Sequence, residues 1–331
     1  MRKLFALALV LVVPTLLVAA STGYHILNEI KIGGEGGWDY LTVDSAARRL
    51  YVSHATHVVV VDLETGKTVG DIPDTPGVHG IALVPELNKG FISNGRGNNV
   101  TIFDMKTLKA TGTAATEMNP DDITYDPISK RVFAFNGRSR SASVIDAKTG
   151  MVVATIPLPG KPEFAVTDGK GKIYNNIEDT NEIVEIDAAT ARVTKKYALT
   201  GCEGPSGLAM DRKARRLFSV CGNRVMAISD PDKGAVVATP AIGAGSDGVV
   251  FDPGTGYAIS SNGDGTLTIV QQTGGKYDVV ENIATERGAR TIALDEKTHR
   301  VYLPTATAGQ AAAGGRAPYL PDSFKIVVVG K

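Results

Sequence analysis

The chain has 331 residues, with 35 Lys and Arg against 35 Asp and Glu. This balance gives no reason to expect nucleic acid or an anionic membrane as a partner, because both call for a basic excess. Glycine is abundant (37 residues) and aromatic residues make up only 6%. Such a composition is typical of many short strands joined by tight turns.

The first 20 residues predict a cleavable signal peptide. Arg2 and Lys3 precede an apolar run from Leu4 to Val18, which small residues follow up to Ala20. The run is shorter than the roughly 20 residues that cross a bilayer, so we expect cleavage after Ala20 and no membrane span. Cleavage leaves 33 basic against 35 acidic residues, a formal charge of −2. We therefore expect a periplasmic or secreted protein.

The first predicted strand, residues 24–32, precedes the first repeat unit and does not belong to it. After it begins a unit of four β-rich stretches, at residues 40–43, 50–53, 58–61 and 68–72, which we label A to D. The apolar residues alternate or form short continuous runs, and this excludes a helical repeat.

The same unit recurs along the whole chain. Its A stretch ends at Asp44, Pro85, Asp126, Asp168, Asp211, Asp252 and Asp295, at spacings of 41, 41, 42, 43, 41 and 43 residues. Four-stranded units of about 40–45 residues are the signature of a propeller blade. Seven copies predict an all-β fold, a seven-bladed β-propeller with four-stranded antiparallel blades.

The turn between the C and D stretches carries a repeated Asp followed by Thr three positions later, at Asp62, Asp104, Asp146 and Asp187. An Asp carboxylate accepts hydrogen bonds from backbone N–H groups shortly after it in a turn. These acids are therefore interpreted as turn residues and not as catalytic ones.

The seventh unit has A, B and C stretches at residues 291–294, 301–303 and 325–329, and no D stretch. We expect the N-terminal strand to complete this blade and close the ring, since an open ring would expose an edge. Residues 21–331 would then form a single propeller domain. Between B and C, residues 304–323 form a Gly-, Ala- and Pro-rich insertion. We expect it to be either a disordered loop or a lid that Tyr319 and Leu320 anchor over the channel.

The B stretches contain YVSH at 51–54, FISN at 91–94 and FAFN at 133–136. Together with the D-x-x-T-G-K turns, they make residues 24–331 resemble the bacterial exported YVTN-type β-propeller repeat family. The resemblance implies a propeller fold and export, and it supplies no catalytic residues.

Propeller ligands commonly bind where the D–A and B–C loops meet at one end of the central channel, here called the channel mouth. Polar residues predicted there are Asp39, Asp121, Asp122, Glu163, Asp247, Arg290, Asn94, Asn136, Arg96 and Arg138. They favour a cation site or a polar-ligand site, because converging acids are costly unless paired. The alternative is that the acids cap loop N–H groups or pair with arginines.

Two metal sites are conceivable at this mouth. The acids come from different blades and are expected to surround the channel, so direct coordination would involve Asp121 and Glu163, whose oxygens suit Ca²⁺ or Mg²⁺. A Zn²⁺ or Cu²⁺ site would use His54, His57 or His79 with Asp39 or Asp121, because imidazole suits those metals.

The two cysteines, Cys202 and Cys221, lie 19 positions apart at the predicted rim of the fifth blade. In an exported protein they predict a disulfide. The sequence contains no C-x-x-C-H segment for haem attachment.

Two functions remain open from the sequence. No nucleophile–base motif such as G-x-S-x-G appears, which favours a non-enzymatic binding or interaction module for a protein or a small polar ligand. We expect the protein to be a monomer. The alternative is a lactonase-like hydrolase in which the acidic rim holds a divalent cation that polarises a carbonyl.

Overall fold

The computed structural model describes residues 21–310 and 318–331. The predicted signal peptide, and residues 311–317 of the insertion, lie outside the described residues. The described chain forms seven four-stranded antiparallel sheets, and its one helical turn there is a 3-10 turn at Pro85–Leu87. Within those residues no helix has the length and apolarity needed to cross a membrane.

Six blades are each built from four consecutive strands. The first two blades contain β2 (Leu41–Asp44), β3 (Arg49–His54), β4 (His57–Asp62), β5 (Thr68–Ile72), β6 (Val78–Val84), β7 (Lys89–Asn94), β8 (Asn99–Asp104) and β9 (Ala110–Ala115). The third and fourth contain β10 (Pro120–Asp126), β11 (Arg131–Asn136), β12 (Ser141–Asp146), β13 (Val152–Pro157), β14 (Pro162–Thr167), β15 (Lys172–Ile177), β16 (Glu182–Asp187) and β17 (Arg192–Ala198). The fifth and sixth contain β18 (Pro205–Asp211), β19 (Arg216–Cys221), β20 (Val225–Asp230), β21 (Ala235–Ala238), β22 (Ser246–Asp252), β23 (Tyr257–Asn262), β24 (Thr266–Thr273) and β25 (Lys276–Ala284).

The seventh blade joins the two ends of the chain. Its strands are β26 (Ala293–Asp295), β27 (Arg300–Thr305), β28 (Lys325–Gly330) and, on its outer edge, β1 (His25–Lys31). Strand β1 pairs antiparallel with β28, with Ile30 opposite Ile326. The predicted seven-bladed fold and its closure by the N-terminal strand are confirmed.

The C–D turns are built as their sequence predicts. Asp62 Oδ1 accepts hydrogen bonds from the backbone N–H groups of Glu64 (3.1 Å) and Thr65 (2.8 Å). The carboxylates at the other three turns accept the N–H of the Thr that follows three positions later. Gly66 then takes a φ of 67°, which glycine adopts without strain. These acids serve the turns.

The apolar core is divided between neighbouring blades. One buried cluster combines Leu50 and Val61 of the first blade with Ile30, Tyr302 and Ile326 of the seventh. Because each blade buries its faces against two neighbours, closing the ring completes the last interface and adds a full apolar layer.

Asp residues at the ends of the inner strands also link adjacent blades. Asp295 in the seventh blade accepts hydrogen bonds from Ser45 Oγ and from Arg48 Nη1 of the first, both at 2.6 Å. His299 contacts Asp252 of the preceding blade at 2.9 Å. The sequence identified these acids only as turn residues, and their second role appears when the blades are arranged in a ring.

Candidate functional site

The first strands of adjacent blades contact one another around a central channel. In five of the seven blades this strand begins with a β-bulge, as in β10, where the pairing shifts between Pro120 and Ile123. A bulge re-aims side chains, and here it separates Asp121 from its neighbour Asp122.

Asp122 is directed at the next blade. Its Oδ2 accepts the backbone N–H of Ala165 at 2.9 Å, and its side chain is buried. Burial, together with the nearby Asp121 and Glu163, raises the pKa of Asp122 well above its usual value. The sequence prediction counted Asp122 with the rim ligands, whereas the structure gives it a contact between blades.

Asp121 meets Asp39 at a single imidazole. His79 Nδ1 lies 2.5 Å from Asp39 Oδ2 and 3.4 Å from Asp121 Oδ1. All three side chains are partly exposed, His79 the most at 28%. We call Asp39, His79 and Asp121 the triad. The sequence predicts that acids of different blades lie apart around the channel, but the triad brings together side chains of the first, second and third blades.

Glycine at the next position explains why His79 reaches between the two acids. Gly80 occupies the rim position of the second blade, where other blades carry Asp, Glu, Ser or Arg. A Cβ on Gly80 would lie 3.1 Å from Ile123 Cγ2 and 3.4 Å from the Asp121 carbonyl oxygen. Because Gly80 has no side chain, the second and third blades can approach each other. The side chain that the second blade contributes at the mouth is therefore the imidazole of the preceding residue, His79.

Two cationic side chains hold the other rim acids. Arg290 Nε lies 2.8 Å from Asp247 Oδ2, and Arg290 Nη2 lies 3.4 Å from Asp39 Oδ1. Lys161 Nζ lies 2.7 Å from Glu163 Oε1 and also contacts Glu178. We call the triad together with Lys161, Glu163, Asp247 and Arg290 the rim cluster.

The pKa values within this cluster indicate an excess of negative charge. Burial and the nearby Asp121 raise the pKa of Glu163, and burial raises that of Asp121, with Asp39 and Asp247 adding to the increase. Burial opposes protonation of His79, but the hydrogen bond to Asp39 and the charge of Asp121 outweigh it and raise the pKa of His79 to about 9. Lys161 and Arg290 alone do not balance the four acids, and protonated His79 supplies a third positive charge.

Hydroxyl groups fix the backbone that carries the triad. The Asp39 N–H donates to Ser53 Oγ (2.8 Å), and Thr291 Oγ1 donates to the Asp39 carbonyl (2.6 Å). Ser93 Oγ accepts the Gly80 N–H (2.8 Å) and donates to the Asp121 carbonyl (2.5 Å). The carboxylates and the imidazole therefore extend from segments joined across three blades.

Below the rim cluster, two aromatic rings block the channel. Tyr40 of the first blade and Phe164 of the fourth pack edge to face with centroids 4.6 Å apart. The space left beside them is about 10 Å³, at most about one water molecule. A cavity of about 450 Å³ opens at the other end of the channel, lined by residues such as Thr42, Thr124 and Arg212. The two ends are therefore separate.

Other predicted rim residues do not join the cluster. Asn94 and Asn136 are buried, and their amide groups donate to hydroxyls on the next strand of the same hairpin, Thr101 and Ser143 among them. Arg96 and Arg138 are exposed and form no ion pair within the described residues.

His54 is also apart from the triad. It is buried against Phe324 with ring centroids 4.6 Å apart, and its Nδ1 lies 3.1 Å from His57 Nε2. Burial and the neighbouring His57 lower the pKa of His54 to about 4. Of the histidines weighed as metal ligands, the structure places only His79 beside the acids.

Two further predictions concern loops. Cys202 and Cys221 form the predicted disulfide, with a sulfur–sulfur distance of 2.06 Å, and tie a loop to strand β19 of the fifth blade. In the insertion, Tyr319 packs on Trp38 with centroids 4.6 Å apart, while Leu320 is largely exposed.

Lys161 belongs to the rim cluster although no sequence pattern singled it out. It lies two positions before Glu163, and the alternation of charge in Lys161-Pro162-Glu163 was the available signal. A basic residue beside a rim acid is a natural partner for it, and Lys161 contacts both Glu163 and Glu178.

No protein-family model and no curated protein sequence matches this chain. Among solved structures, Kuenenia stuttgartiensis hydrazine synthase is similar with a TM-score of 0.70 and 16% identity, covering 81% of this chain and 92% of that one. U3-55K is similar with a TM-score of 0.77 and 10% identity, covering 91% and 97%. At these identities the likeness extends to the fold alone, and it agrees with the blades described above: the chain is a seven-bladed β-propeller.

Proposed function

We propose that this chain is an exported binding module whose rim cluster holds a cationic group, such as a lysine or arginine side chain, of a peptide or protein partner. The β-propeller fold is in general suited to binding and interaction. The signal-peptide pattern in residues 1–20 and the YVTN-type repeats favour export.

The observation that carries this proposal is the charge of the rim cluster. Its acids are Asp39, Asp121, Glu163 and Asp247, and its cations are Lys161, Arg290 and, at pH values below about 9, His79. When ionised, the four acids therefore still outnumber the cations. Crowded carboxylates with raised pKa values are relieved by an added positive charge, which a ligand can supply. Because Tyr40 and Phe164 block the channel, such a ligand would bind from one end and would not pass through.

The hydrolase alternative has no comparable support. In the described structure, His79 hydrogen-bonds only to carboxylates, and both cysteines are joined in the disulfide. The described residues around His79 therefore do not form a nucleophile–base pair with it.

A cationic peptide tests the proposed function. We expect a fluorescently labelled tetralysine peptide to bind the mature chain in fluorescence anisotropy, more tightly at low salt than at high salt. The double variant E163Q/D247N should bind it about 4- to 25-fold more weakly, at about two- to fivefold per charge removed.

The matched control is D278N/E296Q, which removes two exposed acids that form no side-chain hydrogen bond in the described structure. Its total charge equals that of E163Q/D247N, so it should bind as the wild type does. Equal weakening in both double variants would mean that only net charge matters and would refute the mouth as the site. A wild-type chain that fails to bind the peptide at low salt would refute the proposal itself.

A further inference from the structure

The triad differs from the rest of the rim cluster because it presents a nitrogen and two oxygens toward one point. One ligand atom from each of Asp39, His79 and Asp121 lies within 4.8 Å of the others. Glu163 and Asp247 are held more closely by cationic side chains, at 2.7 and 2.8 Å, whereas Arg290 lies 3.4 Å from Asp39. The three triad residues are the part of the cluster that could share one small ion.

We propose that the triad is a binding site for a first-row transition-metal dication such as Zn²⁺. Two carboxylate oxygens and an imidazole nitrogen form a donor set that such ions accept. Ca²⁺ and Mg²⁺ prefer oxygen ligands alone, so the imidazole selects against them. The pair predicted from the sequence for calcium, Asp121 and Glu163, is replaced here by Asp121 with Asp39 and His79.

The surroundings of the triad supply what a metal site needs beyond its ligands. Arg290 Nη2 lies 3.4 Å from Asp39 Oδ1, which leaves Oδ2 directed at His79. Hydrogen bonds from Ser93 and Thr291 fix the backbone carbonyls of Asp121 and Asp39. Such outer contacts orient ligands and strengthen metal binding.

Charge favours a dication at this point. A metal that binds the imidazole of His79 displaces its proton. The four rim acids, when ionised, then exceed Lys161 and Arg290 by two charges, which one divalent ion would neutralise. Three protein ligands leave further coordination positions open to water or to an incoming ligand. A bound metal could thus also hold an electron-pair donor of a partner at the same mouth.

This inference rests on the proposed cation-binding mouth, but its test is separate. We expect isothermal titration of the mature chain with Zn²⁺ to give about one site per chain. The variants H79Q and D121N should each bind Zn²⁺ at least about tenfold more weakly, since removing even an outer-shell partner costs 10- to 100-fold. Ca²⁺ at the same concentration should give no comparable heat.

Co²⁺ provides a second readout, because its visible absorption reports the ligands around it. The visible spectrum of Co²⁺-loaded H79Q should differ from that of the Co²⁺-loaded wild type. The matched control is H299Q, which removes a histidine that contacts the carboxylate of Asp252 elsewhere in the ring. It should bind Zn²⁺ and Co²⁺ as the wild type does.

Unaltered Zn²⁺ affinity in both H79Q and D121N, with both variants folded by circular dichroism, would overturn the metal site. So would equal weakening in H299Q. If H79Q does not fold, D121N decides the matter. Failure of the Zn²⁺ titration with intact tetralysine binding would remove the metal site and leave the proposed function standing, whereas loss of both would remove the mouth as a binding site.

Discussion

Ring closure by the N-terminal strand depends on a few apolar side chains, and Ile30 is the sharpest place to test it. Ile30 is 7% exposed, lies opposite Ile326 and packs in the buried cluster between the seventh and first blades. The substitution Ile30→Ala removes three carbon atoms, worth about 2.4 kcal/mol of transfer free energy at about 0.8 kcal/mol each. The cavity that remains brings the expected loss of unfolding free energy to about 3–4 kcal/mol.

The control lies on the same strand. Ile26 is 39% exposed, so Ile26→Ala leaves no closed cavity and should cost about 1 kcal/mol. Both variants are compared with the wild type by guanidinium unfolding followed by circular dichroism. If Ile30→Ala costs no more than Ile26→Ala, the packing of β1 beside β28 does not contribute to the stability of the whole propeller.

Two further predictions use the same unfolding assay. The double variant C202A/C221A should lose about 3 kcal/mol of unfolding free energy, because the disulfide no longer restricts a loop of about 20 residues in the unfolded chain. Dithiothreitol should lower the stability of the wild type to the same value. A wild type whose stability does not respond to the reductant would contradict this. Burial opposes ionisation of Asp295, but hydrogen bonds from Ser45, Thr298 and Arg48 outweigh it and hold its pKa below the usual value. Ionised Asp295 therefore stabilises the folded state above the unfolded pKa, near 4, and this stabilisation is lost as the pH falls below it. Between pH 5 and about 3, the variant D295N should lose less unfolding free energy than the wild type. Parallel losses would show that Asp295 does not contribute.

Local patterns in the sequence were enough to predict the blades. The Asp of each C–D turn and the alternating strands act through neighbours within a few residues, and such contacts are legible in sequence. Closure was also predictable, because residues 24–32 lacked a partner and the last unit lacked a strand.

The triad could not be predicted in the same way. Its geometry depends on a β-bulge that separates Asp121 from Asp122 and on Gly80, whose missing side chain lets His79 extend between two blades. Asn94 shows the converse, since its place at the end of a strand suggested a ligand, yet its amide serves its own hairpin. Both outcomes depend on contacts between segments that are about 30–40 residues apart or on the direction of a single side chain.

The pairing of β1 with β28 also determines when folding can be completed, because the chain is synthesised from its N-terminus. Six blades consist of strands made one after another, whereas the seventh pairs His25 with Gly330. Bringing together segments about 300 residues apart costs about 2 kcal/mol more chain entropy than closing a 40-residue unit. The first blade must therefore wait, with one apolar face uncovered, until the last strand has been synthesised. During that interval the nascent chain is most exposed to proteases and to aggregation, and a chaperone that covers the waiting face would act there.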